Sequence, residues 1–149
     1  MQAILQYADN LRRLTHRSMR PLGEELDLSQ LEMALLLFLR NNPELNTARD
    51  AAAYRGFAKS NVSTAVEALE RKGWLTVEPD PDSRRVKRLC LRREREGDLE
   101  RLAACQAGVL AVLTADFTPE EAETLQDLLD RMGRNVTRAL ERGEGTGRG

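Results

Sequence analysis

The sequence predicts a mainly α-helical protein with one small β-hairpin. Leu, Ala, Glu and Arg dominate the 149 residues, and aromatic residues make up only 4% of them. This composition favours helix over sheet. Apolar residues recur at helical spacing along most of the chain. The alternation typical of strands is confined to residues 75–78 and 86–91, which flank a turn rich in Pro and Asp.

Two helices are predicted in the first part of the chain. Residues 2–22 carry apolar side chains at helical spacing, and Pro21 and Gly23 predict the end of this helix. The second helix begins at Ser29-Gln30-Leu31-Glu32, the pattern of a capping box. Because this helix is apolar on most sides through Arg40, we expect it at the centre of the core.

A pair of short helices precedes the hairpin. Thr47 predicts the start of the first, which ends near Gly56. The second runs from Ala58 to Gly73, and Gly73 suits a left-handed C-cap. Two short helices joined by a few residues that include Gly predict a helix-turn-helix.

Two further helices are predicted after the hairpin, the first over residues 94–115. The last begins with Thr118 as its cap and Pro119 at its first position. The apolar residues on one face of this last helix are Leu125, Leu128, Leu129, Met132 and Val136.

Charge is segregated along the chain, although the formal net charge is only −1. Residues 84–95 contain seven basic residues and one acid, and residues 116–130 contain six acids and no base. One basic face is sufficient for a protein to bind a polyanion. The hairpin region is therefore a candidate for contact with nucleic acid.

Composition and sequence patterns also disfavour disulfide-rich, membrane-spanning and exported proteins. Cys90 and Cys105 are too few for a disulfide scaffold and too far apart for a CxxC pair. The longest apolar run, residues 34–39, is far shorter than a membrane span. The N-terminus does not have the pattern of a signal peptide. We therefore expect a cytoplasmic protein with no membrane partner.

The helix before the hairpin is the main candidate for reading DNA. Its apolar residues, such as Val62 and Ala65, should face inward, so the polar residues of its first turns should face outward. Asn, Lys, Ser and Thr can form hydrogen bonds with base edges in the major groove, and a helix-turn-helix presents the start of its second helix there. The candidate residues are Lys59, Ser60, Asn61, Ser63 and Thr64. The alternative is an ordinary solvated helix face.

The hairpin supplies a second set of candidates. Arg84 and Arg85 lie in the predicted turn, where they could enter a minor groove or simply be solvated. Lys87, at the start of the second strand, could contact a phosphate or contribute only surface charge.

Residues 31–91 resemble the winged helix-turn-helix domain of the MarR family of bacterial transcription regulators. The resemblance rests on Val62-Ser63, on Leu69-Glu70-Arg71-Lys72-Gly73, and on Pro79-Asp80-Pro81-Asp82-Ser83-Arg84-Arg85. The flanking helices match the layout of that family across nearly the whole chain. Two departures are Ser83, where the family usually has Asp, and Ala58, where Ser would normally cap the helix.

This resemblance implies a homodimer that binds double-stranded DNA at a pseudo-palindromic operator, most often as a repressor. It implies an N-terminal dimerisation helix (1–28), a winged helix-turn-helix domain (29–92), C-terminal dimerisation helices (93–142) and a flexible tail (143–149). It also implies a small-molecule effector pocket between the dimerisation helices and the winged domain, lined by the first, second and fifth helices.

The sequence allows three alternatives to this function, with unequal support. A winged-helix module for protein or RNA contacts is suggested by the acidic residues 116–130. A thiol redox-sensing regulator would use Cys90 or Cys105. An enzyme is disfavoured because no phosphate-binding loop, nucleophile elbow or histidine–carboxylate constellation is present in the sequence. With His16 as the single histidine, we expect neither a metal site nor a cofactor.

Overall fold

The computed structural model describes residues 2–144, apart from the side chains of residues 54, 55 and 144. In this part of the chain the elements follow in the order α1 (Gln2–Leu26), α2 (Gln30–Asn41), α3 (Ala48–Arg55), α4 (Lys59–Arg71), β1 (Leu75–Pro79), β2 (Lys87–Leu91), a 3-10 turn (Arg93–Arg95), α5 (Glu96–Leu113) and α6 (Pro119–Glu144). The predicted fold class, mainly α with one small β-hairpin, is confirmed.

The chain divides into two compact units, with the boundary between Val109 and Leu110. The first unit contains α1 to α4, the hairpin and most of α5, and it holds the hydrophobic core. As predicted, α2 lies at the centre of this core. Its buried residues are Glu32, Met33, Leu35, Leu36, Leu37, Phe38 and Leu39.

Helix starts follow the capping patterns of the sequence. The Ser29 hydroxyl accepts the Glu32 N–H at 3.1 Å, and the Ser29 N–H donates to Glu32 Oε2 at 3.2 Å. Thr118 and Glu121 form the same reciprocal pair at the start of α6, at 3.2 and 3.0 Å. Each such cap contributes about 1 kcal/mol because it satisfies amide groups that have no partner within the helix.

The predicted end of the first helix was wrong. α1 contains Pro21 and continues to Leu26. Gly23 is buried and allows close approach: a Cβ on it would lie 2.8 Å from Met33 Cε and 2.9 Å from the Leu28 carbonyl oxygen. Gly23 therefore lets α2 pack against α1 and does not stop the helix.

The predicted helix-turn-helix is present as α3 and α4. Thr47 caps α3 by accepting the Asp50 N–H at 3.0 Å. Gly56 ends α3 with φ 67°, in the left-handed region that favours glycine. Gly73 follows α4 with φ 79°, and the Trp74 N–H returns to the Leu69 carbonyl at 2.9 Å. These two glycines reverse the chain direction, so that α4 and the hairpin can lie side by side.

The hairpin is antiparallel, with the register running from Leu75 opposite Leu91 to Pro79 opposite Lys87. Trp74 is fully buried directly before β1, as expected of a residue that packs the hairpin on the core. The Leu89 N–H donates to the Asn46 carbonyl at 2.8 Å, which joins β2 to the loop between α2 and α3.

The C-terminal part of the chain differs in detail from the prediction. A 3-10 turn occupies Arg93–Arg95 before α5, and Arg92 at its start makes no capping side-chain bond. α6 extends through Glu144, and the remainder of the predicted tail lies outside the described residues. The domain boundaries at 28/29 and 92/93 stay predictions.

Candidate nucleic-acid interface

The candidate recognition helix, α4, has one buried and one exposed face. Val62, Ala65 and Leu69 are buried against the core. Ala68 is also buried and Val66 packs partly against the core, so that the other residues of the helix, at the remaining helical positions, face outward. All the predicted contact residues on this helix are exposed: Lys59, Ser60, Asn61, Ser63 and Thr64.

The start of α4 has no side-chain cap. Ala58 has the extended conformation of an N-cap, with φ −63° and ψ 134°, but its methyl group cannot accept a hydrogen bond. The departure from the family pattern noted at this position therefore leaves the amides of the first turn without a capping side chain. The Thr64 hydroxyl donates to the Ser60 carbonyl at 3.0 Å, so this hydroxyl is left with its acceptor lone pairs for another molecule.

The wing, which we define as residues 79–87, presents a cationic tip. Arg84, Arg85 and Lys87 are exposed. Within residues 2–144 none of these three side chains lies within ion-pair distance of an acid. Their charges are therefore not neutralised by any acid whose side chain the structure describes, and they can act on an external anion.

Behind the tip, an ion pair braces the wing. Arg88 Nε donates to Asp80 Oδ2 at 2.8 Å, and Arg88 NH1 donates to Asn46 Oδ1 at 3.0 Å. Asp80 Oδ1 accepts the Asp82 N–H at 2.8 Å. The Asp82 N–H and then the Arg88 guanidinium hold the pKa of the Asp80 carboxyl below its usual range. The carboxylate stays ionised at neutral pH and fixes both ends of the turn.

Arg88 is a residue whose role the sequence did not reveal. A basic residue next to Lys87 could contact a phosphate or contribute only surface charge, whereas the Arg88 guanidinium is bonded within the protein. Only the antiparallel register, which places Arg88 opposite Glu78 and near the end of β1, brings it to Asp80 and Asn46.

Among the described residues there is no group of three or more His, Cys, Asp or Glu that could hold a metal ion. Within residues 2–144 no helix is long and apolar enough to cross a membrane. Cys90 and Cys105 are half-buried free thiols.

A helix-turn-helix whose second helix exposes polar side chains, followed by a hairpin with a cationic tip, defines the winged helix-turn-helix class of DNA-binding proteins. Residues 26–86 match the model of the MarR family. The HTH-type transcriptional regulator YybA of Bacillus subtilis (strain 168) is 26% identical to this chain, and the similarity covers 79% of this chain and 78% of YybA. Residues 26–86 of the chain are therefore similar to the MarR family of winged helix-turn-helix transcriptional regulators.

Solved structures share the fold. A MarR family regulator from Listeria monocytogenes, in complex with a 26mer DNA, superposes with a TM-score of 0.80 at 18% identity, and the match covers 98% of this chain and 97% of that one. CouR from Rhodococcus jostii RHA1, bound to p-coumaroyl-CoA, has a TM-score of 0.71 at 18% identity, with 87% and 88% covered. The winged helix-turn-helix predicted from the sequence is thereby confirmed.

Proposed function

We propose that this regulator binds double-stranded DNA sequence-specifically and acts as a homodimeric repressor. The observation that carries the proposal is the exposure of a continuous polar surface on the first turns of α4. Asn61 and Lys59 match the donor and acceptor patterns of adenine and guanine, and the hydroxyl groups can pair with several bases. A helix diameter of about 10–12 Å also fits the major groove, which is about 12 Å wide.

The wing would add contacts of a different kind. Arg84 and Arg85 carry charges that no acid of the described chain neutralises. A narrow minor groove concentrates negative potential and attracts such side chains. Lys87 is suited to a phosphate, which would strengthen binding without selecting a sequence. DNA as the target agrees with the cytoplasmic location predicted above.

The homodimer is supported by an unpartnered apolar face on α6. Its residues are more than 40% exposed in the single chain: Leu128, Leu129, Met132, Val136 and Leu140. A contiguous apolar face of this kind is typical of an interaction site. A two-fold dimer would read a pseudo-palindromic operator whose half-sites lie about one helical turn, ~34–36 Å, apart.

An effector pocket is part of the same proposal. A cavity of about 580 Å³ is lined by residues of α1 and α2, by Phe57 and by Gln106 of α5. This lining supports the first, second and fifth helices as walls of an effector pocket. The exposed surface of its walls is mainly apolar, and the polar side chains that could orient a ligand are Tyr7, Arg12, Thr15, His16, Gln30 and Gln106. A ligand that binds the DNA-incompetent form more tightly would shift the population towards that form and release the operator.

In-vitro selection from a random duplex pool tests the proposal. We expect the wild-type protein to enrich a pseudo-palindromic sequence. Asn61→Ala and Ser63→Ala should each relax the preference at specific positions, by about 1–3 kcal/mol for each lost base contact. Glu67→Ala, an exposed change on the same helix beyond its first turns, is the matched control and should leave the profile unchanged.

The salt dependence of the selected complex gives an independent measurement. With about six to ten phosphate contacts, affinity should fall by about 10³ to 10⁵ between about 50 and about 200 mM salt. Arg85→Ala should weaken binding and reduce this dependence. A protein that shows no preference for duplex DNA at either salt concentration would instead be a module for protein or RNA contacts.

A further inference from the structure

The C-terminal end of α4 is joined to the junction between α1 and α2 by one side chain. Lys72, the residue directly after α4, places its Nζ 2.9 Å from Glu32 Oε2 and 2.7 Å from the Asp27 carbonyl oxygen. These residues are separated from Lys72 by 40 and 45 positions in the sequence. The Lys72 and Glu32 side chains are 24% and 10% exposed, so that salt and water screen their attraction little.

The Glu32 carboxylate, which accepts a hydrogen bond from Lys72, is itself held in place. Glu32 Oε2 also accepts the Ser29 N–H at 3.2 Å, and the Glu32 N–H donates to the Ser29 hydroxyl. Asp27, which supplies the second acceptor, has φ 55°, an uncommon conformation for a residue with a side chain. Lys72 therefore meets two acceptors whose positions are fixed by the backbone of the junction.

The main chain of Lys72 is fixed from another direction. Arg95, in the turn before α5, donates from NH2 to the Lys72 carbonyl at 3.1 Å. The Arg95 guanidinium also lies 4.3 Å from the centre of the buried Trp74 ring and 3.4 Å from Asp98 Oδ2. The end of α4 is thus connected both to α1 and α2 and to α5.

We propose that Lys72 is a positioning residue for DNA reading, which sets the angle at which α4 presents its first turns. This inference rests on the proposed DNA-binding function. α4 is 13 residues long, about 20 Å at 1.5 Å per residue. A rotation of about 10° at its C-terminal end would move its first turn by about 3 Å, more than the few tenths of an ångström that a hydrogen bond tolerates. Lys72 therefore affects base contacts that it does not make.

Lys72→Met and Glu32→Gln test the proposal together. The first removes the ammonium group and keeps an unbranched stem. The second removes the charge but keeps an oxygen that can accept the Ser29 N–H, so the cap of α2 persists. We expect each variant to bind the selected operator at least tenfold more weakly than wild type and to prefer a different half-site spacing. The double variant should be no weaker than the weaker single variant, because both changes act on the same contact: Glu32→Gln removes its negative charge, and Lys72→Met removes the donor.

Arg101→Gln is the matched control. Arg101 Nη2 pairs with Glu25 Oε2 at 2.6 Å and joins α5 to α1 without touching α4. Its Nη1 lies 3.4 Å from Asp98 Oδ1, whereas Arg95 contacts the other oxygen of that carboxylate, so the variant retains the contact between Arg95 and Asp98. This variant should retain the spacing preference of the wild type even if its melting temperature falls. If Lys72→Met lowers the melting temperature as Arg101→Gln does and leaves affinity and spacing preference unchanged, Lys72 is merely structural and the proposal is wrong.

A measurement without DNA separates this proposal from the proposed function. Residual dipolar couplings of backbone amides report the angle between α2 and α4 in the free protein. We expect this angle to change by about 10° or more in Lys72→Met and to remain unchanged in Arg101→Gln. An unchanged angle in Lys72→Met overturns the positioning role, whether or not the wild-type protein binds DNA. A changed angle in a protein that binds no duplex would support the positioning role and reject the proposed function.

Discussion

The environment of the Cys90 thiol bears on whether it could act as a redox sensor. Its Sγ lies 3.6 Å from Glu78 Oε2 across the hairpin. Partial burial, followed by the charge of Glu78, raises the pKa of the Cys90 thiol above its ordinary value. Because the thiolate is the reactive form, this environment makes Cys90 slow to oxidise at neutral pH. The thiol-sensing alternative is therefore disfavoured at this residue.

We predict that Glu78→Gln accelerates alkylation of Cys90 by iodoacetamide at pH 7. Removing the carboxylate removes the charge of Glu78 from the causes that raise the pKa of the Cys90 thiol, so the thiolate fraction at pH 7 increases. The rate–pH profile should shift to lower pH. Both proteins should carry Cys105→Ser, so that one thiol is observed. A wild-type Cys90 that reacts at pH 7 as fast as free cysteine would contradict the prediction.

The helix ends that are set by nearby side chains were predicted best from the sequence. The starts of α2 and α6 are set by side chains three residues apart, Ser29 with Glu32 and Thr118 with Glu121. The exposure of the polar residues on α4 followed in the same way from helical periodicity. In contrast, the end of α1 depends on a contact between Gly23 and α2 that no local pattern contains.

The candidate site shows the same difference between features set by local sequence and features set by distant contacts. The exposure of the residues proposed to contact DNA was predictable because these residues lie on one helix and one hairpin. The residues that hold them were not, since Arg88 bonds to Asn46 across 42 positions and Lys72 to Glu32 across 40. A basic residue in a sequence does not indicate whether its partner is a phosphate or a distant carboxylate.

At the crossing of α1 and α2, we predict that Gly23→Ala destabilises the fold. Alanine is the better helix former by about 1 kcal/mol, but its Cβ would lie 2.9 Å from the backbone oxygen of Leu28, which cannot move as a flexible side chain can. We expect a net loss of about 1–3 kcal/mol in the free energy of unfolding, measured with chemical denaturant.

The control for this prediction is Gly97→Ala in α5. A Cβ at Gly97 would meet nothing within 4 Å, so the same substitution should be neutral or stabilise the protein by up to about 1 kcal/mol. Equal effects at the two glycines would show that close packing at Gly23 is not what excludes a side chain there.

For the whole molecule, the proposed function requires that two copies associate, and α6 offers adjacent residues that can test this. Val136 belongs to the apolar face and is 59% exposed, whereas Thr137 is exposed on a different face of the same helix. Val136→Glu should shift the protein from dimer to monomer in sedimentation velocity, because it would place a charge within an apolar interface. Thr137→Glu adds the same charge one residue away and should leave the dimer intact.

The same two variants test whether binding of the full operator depends on dimerisation. A monomer can occupy one half-site only, so that Val136→Glu should lose most of the affinity for the full operator and keep the weak affinity of a single half-site. Thr137→Glu should bind the full operator and a single half-site with the affinities of the wild type. If Val136→Glu becomes monomeric and still binds the full operator with wild-type affinity, operator recognition does not depend on dimerisation through α6. If it remains a dimer, the apolar face of α6 is not the interface, and the exposed residues of α1, Ile4, Leu5 and Tyr7, become the next surface to test.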